Sequence, residues 1–129
     1  MFVPLLIPEY KAVVCSANFN SWNDRVAGTT LPNGYMFGGQ YEIFDFDLAN
    51  TFDHNDMVRL IAPRPFMVER GHNDGVAKSE HVAFEFGKVR HYYDMYLKTP
   101  ERVEILFLPG GHLPYVTPIL PFMDKWLKK

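Results

Sequence analysis

Two apolar spacings follow one another along this chain, and their alternation sets the order of its elements. The first is a short continuous run, Ala-Val-Val-Cys within residues 11–16, rich in β-branched side chains and suited to a strand buried on both faces. From residue 18 to 53 the pattern dissolves into Asn, Gly, Asp and aromatics. Gly28, Pro32-Asn33-Gly34 and Gly38-Gly39 mark turns there, so this stretch reads as a long irregular excursion. Helical spacing returns at residues 54–62, with Met57, Leu60 and Ile61 on one side, Asp53 available as N-cap, and Pro63 and Pro65 as stops. A second strand follows over residues 66–70, and Gly71-His-Asn-Asp-Gly75 is a polar turn at its end.

Ser79 is expected to cap the next helix. Along it Val82, Phe86, Val89, Tyr93 and Tyr96 recur at intervals of three and four as one apolar stripe, with Lys88, Arg90 and Asp94 facing away. A third strand spans residues 102–108 and closes on Pro109-Gly-Gly-His112, and a last helix covers residues 118–128. Strands alternating with helices predict an α/β fold, a three-layer sandwich around a small parallel sheet with right-handed crossovers, and one domain over residues 1–129.

Composition narrows the function classes. The 129 residues carry a formal charge of -2 with both signs scattered, which offers neither a basic footprint for nucleic acid nor a polybasic run for an anionic membrane. No stretch approaches the roughly 20 apolar residues that span a bilayer. The apolar run at residues 1–7 is interrupted by Pro4 and followed by Pro8, and it lacks the basic flank and cleavage site of a secretory signal. A single cysteine, Cys15, excludes an internal disulfide, so a reducing cytoplasm is the expected compartment. In an apolar strand that thiol is expected to be buried and unreactive.

The candidate chemistry lies in two turns. In an open parallel sheet, ligands bind beyond the carboxyl ends of the strands, where the loops converge. Asp74 follows the second strand and His112 the third, so a carboxylate and an imidazole can meet on one rim. Such an Asp fixes the tautomer of the His and stabilises the imidazolium formed when the His takes a proton from a nucleophile. Taken singly each has a plainer reading, Asp74 as a turn former and His112 as a loop residue. A metal site drawing on His72, Asp74, His54 and His112 is the other chemical option, but the spacing matches no zinc pattern. His81 and His91 fall on the long helix, where solvent is expected. Trp22 is read either as a pocket wall or as packing.

The run Ile61-Ala-Pro-Arg-Pro-Phe-Met-Val-Glu-Arg-Gly-His-Asn-Asp-Gly-Val76, with a helix, a strand and Pro109-Gly-Gly-His112 after it, resembles the C-terminal part of α/β-hydrolases, closest in flavour to the dienelactone hydrolase-like and acetyl xylan esterase-like enzymes. The resemblance implies Asp74 as triad acid and His112 as triad base, in the family order Ser, Asp, His. It also makes residues 1–10 the end of the helix after the nucleophile and residues 11–16 the next strand. The Gly-x-Ser-x-Gly elbow is absent from these 129 residues and is expected upstream, together with the oxyanion-hole donors. Ser16, Ser21, Ser79 and Cys15 lie on no glycine-flanked elbow.

The activity implied is hydrolysis of a small-molecule carboxylic ester without a cofactor. The alternative is a catalytically inactive hydrolase remnant that serves as a binding or oligomerising module. The first strand would be central in the whole enzyme, so here its open edge predicts self-association or a missing N-terminal half.

Overall fold

The computed structural model describes residues 1–29 and 47–128. The predicted turns at Pro32-Asn33-Gly34 and Gly38-Gly39 lie outside the described residues. Three parallel strands, β1 (Val13–Ser16), β2 (Phe66–Gly71) and β3 (Val103–Leu108), form one sheet in the order β1-β2-β3. The register pairs Val13 with Phe66 and Phe66 with Val103, so all three strands end on the same rim. β2 is buried along its whole length because it is central and covered on both faces.

Helices supply the other two layers. On one face Val13, Cys15, Phe66, Val68 and Val103 pack against Val58 and Ile61 of α4 (His54–Ile61) and Val82, Phe86 and Val89 of α5 (Ser79–His91). On the other face Ala12 and Met67 meet Phe122 of α6 (Val116–Leu127), flanked by Val14, Leu106 and Trp126. Each large apolar side chain buried this way stabilises the fold by about 1.5–3 kcal/mol. This is the expected three-layer α/β sandwich.

The described part of the excursion is more regular than its composition suggests. Outside it, ahead of β1, a first helix, α1, covers Val3–Leu6. Ser21 caps α2 (Trp22–Ala27), its hydroxyl accepting from the Asp24 amide, and α3 (Leu48–Thr51) precedes α4. Asp53 caps α4 as expected, in a reciprocal capping box with Asp56. Leu60, counted in the apolar stripe of α4, is instead exposed, and Val58 takes its place in the core.

Two expectations on α5 need correction. Ser79 is its first residue rather than its cap; Lys78 occupies the N-cap and makes no side-chain cap bond. The stripe also ends at Tyr93, whereas Tyr96 is 70% exposed. Residues Tyr92–Tyr96 form a π turn, whose wider winding rotates Tyr96 off the core face that helical spacing assigned to it. Lys88, Arg90 and Asp94 do face outward, although Lys88 folds back to pair with the buried Glu85. The final helix begins two residues earlier than expected and continues through Pro121.

Arg64 ties the N-terminal segment to this frame, donating to the carbonyls of Pro4, Ile7 and Tyr10 as well as to Ile61. Among the described residues no helix is long and apolar enough to cross a membrane.

Candidate active site

The turns after β2 and β3 are one hydrogen-bonded unit. The sheet ladder continues past the strand ends, with the His72 amide donating to Leu108 at 2.8 Å and the Asn73 amide to Gly110 at 2.8 Å. Gly71 permits this approach, because a Cβ there would run into the carbonyl oxygens of Gly110 and Gly111. Gly110 adopts φ 129°, a conformation open to glycine, and the ring hydroxyl of Tyr115 occupies the space a side chain would need.

On this platform the structure brings Asp74 and His112 together. His112 Nδ1 lies 3.1 Å from both carboxylate oxygens of Asp74. The Asp74 side chain is fully buried, while that of His112 is 58% exposed. With its hydrogen on Nδ1 and donated to Asp74, the imidazole keeps Nε2 as an acceptor for a proton delivered at the rim. Asp74 Oδ1 also accepts from the Val76 amide at 2.9 Å, so the plainer reading of Asp74 as a turn former holds alongside its pairing with His112.

Two charged residues next to each other on β2 flank this pair. Arg70 is fully buried and donates to the carbonyls of Asp74 at 2.9 Å and Ala77 at 2.8 Å. Burial lowers its pKa from the ordinary arginine value, and the Asp74 carboxylate opposes that shift. Glu69 is fully buried on the opposite face and accepts from the Tyr115 amide at 3.3 Å. Neither was singled out from the sequence, since charged residues in a strand are ordinarily placed at the surface.

The other candidates go elsewhere. His54 is buried at the start of α4, where its Nδ1 accepts from the Asn20 amide at 2.9 Å. Burial holds its pKa down at about 3, with help from the Arg25 charge, so it is a neutral core residue. His72 stacks on Phe107 with ring centroids 5.6 Å apart. Among the described residues no three His, Cys, Asp or Glu side chains converge as metal ligands would. His81 is half-buried, 3.6 Å from Asp24, rather than solvated; His91 is exposed, edge-on to Tyr96.

Trp22 is buried and packs against His54 and Phe2, in line with its packing reading. Cys15 is buried as expected, and its thiol is pushed up to about 11 by burial. Ser21 caps α2 and donates to Asp53, and Ser16 ends β1 beside Glu69 in register. Just past Ser16, Ala17 takes a left-handed φ of 63°, a local strain that lets the Asn18 amide reach back to the Ser16 carbonyl.

Comparison with known proteins finds no matching family model and no matching curated protein. Among solved structures, a glucuronoyl esterase of carbohydrate esterase family 15 from Caldicellulosiruptor kristjansonii is similar to this chain at 20% sequence identity with a TM-score of 0.74. The likeness covers 97% of this chain but only 39% of that one. The described architecture is accordingly that of part of an α/β-hydrolase fold.

Proposed function

We propose that this chain supplies the acid, Asp74, and the base, His112, of a serine-type carboxylic ester hydrolase. The observation that carries the reading is the two-oxygen contact between a buried carboxylate and Nδ1 of an exposed imidazole, on the carboxyl rim of a parallel sheet. In the reaction Nε2 of His112 takes the proton of a serine hydroxyl as that oxygen attacks the ester carbonyl. It then returns the proton to the leaving alcohol, while Asp74 holds the ring and its charge. The serine and the oxyanion-hole donors come from a segment or chain outside these residues, in keeping with the 39% coverage of the similar structure.

The finer likeness to dienelactone hydrolase-like and acetyl xylan esterase-like enzymes belongs to the same proposal. Sugar esters, acetylated or formed through a uronic acid carboxyl, are the substrate class to try first. The missing complement is a longer polypeptide or a second copy seated on the open edge of β1, and a reducing cytoplasm suits the single buried thiol.

Hydrolysis of p-nitrophenyl acetate tests the assignment. The 129-residue chain alone should match its His112→Ala variant. Joined to a segment bearing a Gly-x-Ser-x-Gly elbow, it should gain turnover that His112→Ala lowers by about 10³-fold or more. Turnover indifferent to His112→Ala in the joined protein removes His112 from the chemistry and favours the inactive-remnant reading.

A further inference from the structure

Arg70 and Glu69 follow one another on β2, so their side chains leave opposite faces of the sheet. Both are fully buried, and among the described residues neither makes an ion pair. Removing a charge from water costs several kcal/mol, and a core built for packing alone is better served by a Val or Leu. What the two side chains do hold is backbone. The Arg70 guanidinium grips the turn after β2 at three carbonyls, Gly71 at 3.4 Å, Asp74 at 2.9 Å and Ala77 at 2.8 Å. One of these is the carbonyl of the acid itself, whose Oδ1 is held at the same time by the Val76 amide. Asp74 is therefore fixed at its main chain and its side chain.

On the other face Glu69 accepts from the amide of Tyr115. The Tyr115 hydroxyl donates at 3.2 Å to the carbonyl of Gly111, the peptide immediately before His112. Tyr115 thus closes residues 111–115 into a loop whose far end is anchored on β2.

We propose that Glu69 and Arg70 are positioning residues for the Asp74–His112 pair, Arg70 holding the acid's turn from one face of the sheet and Glu69, through Tyr115, holding the base's turn from the other. The proposal rests on the reading of Asp74 and His112 as acid and base, and it extends that reading to what sets their register. A displacement of about 1 Å between such groups is enough to disable them, which gives two buried charges a use that packing does not.

The test reads the tautomer of His112 in the full chain by two-bond ¹H–¹⁵N correlation of its imidazole in alkaline buffer, with His112→Ala identifying the signals and circular dichroism checking the fold. The wild-type ring should be held as the Nδ1–H tautomer. Arg70→Lys keeps the charge but cannot fork across three carbonyls, and it should shift the ring toward the Nε2–H tautomer. Glu69→Leu and Tyr115→Phe should do the same, whereas Glu69→Gln, which still offers an acceptor to the Tyr115 amide, should keep the wild-type signals.

A wild-type ring already in the Nε2–H tautomer overturns the acid–base pairing itself. A wild-type Nδ1–H ring left unchanged in folded Arg70→Lys and Tyr115→Phe overturns only the positioning. An Arg70→Lys chain that does not fold assigns Arg70 to stability and overturns its half; Tyr115→Phe, which removes one half-buried hydroxyl, still decides the other half.

Discussion

Asp74 satisfies two demands with one carboxylate, capping its own turn through Val76 and accepting from His112. Substitution can separate them. Asp74→Asn keeps an oxygen for the Val76 amide but turns an NH₂ toward the ring. Its melting temperature should stay near wild type while the His112 tautomer inverts, which calorimetry and ¹⁵N spectra check independently. Gly71→Ala should be far more damaging. The added methyl meets two backbone carbonyls that cannot move without parting the turns, and a loss of about 2 kcal/mol or more is expected in urea unfolding.

His54 predicts a pH dependence. It titrates near 6.5 when unfolded and at about 3 when folded, so the unfolded chain binds the extra proton in that window. Stability should therefore fall as pH drops from about 6.5 toward 3, by up to about 1.4 kcal/mol per pH unit from this group. His54→Gln should flatten that part of the profile. The placement of Asp74 and His112 was readable because turn residues punctuate both strand ends. The burial of His54, Glu69 and Arg70 was not, because it depends on which faces the excursion and α6 come to cover.

Element boundaries were legible where a side chain both starts and seals a helix, as Asp53 does for α4. They were not where winding changes within a helix. The stripe through Val82, Phe86, Val89 and Tyr93 is genuine, but periodicity carries no mark of the π turn that ejects Tyr96. Two paired substitutions expose the difference. Tyr93→Ala should cost about 3–5 kcal/mol, since it empties a fully buried site, while Tyr96→Ala should change stability by less than about 0.5 kcal/mol. Tyr93→Phe isolates the hydroxyl that donates to the Arg64 carbonyl at 2.6 Å and should cost about 1 kcal/mol. Thermal or urea melts of the three variants give the comparison.

At the scale of the whole molecule, the order of strands followed from the alternation of apolar patterns, but what lies along the outer edges of the sheet is a matter of neighbours. Among the described residues β1 pairs with β2 alone; Val13 and Ala17 donate toward β2, so the amides of Val14 and Ser16 face the opposite edge. Leu113, Val116, Leu120 and Leu127 are exposed around α6, an apolar belt that a lone domain of this size rarely leaves uncovered. Sedimentation of the purified chain at micromolar concentration should show species larger than a monomer, and a strictly monomeric boundary would remove self-association from the proposal.

The ladder that runs past the ends of β2 and β3, through the amides of His72 and Asn73, carries a last consequence. These residues lie in an exposed turn, yet their amide hydrogens are bonded across to the end of β3 and the turn after it. Their exchange with deuterium should be as slow as that of Val68 and Glu69, and should require the same opening. The imidazole and its carboxylate would then melt with the sheet rather than before it, so that heat should erase the His112 tautomer signature and the secondary structure in a single transition.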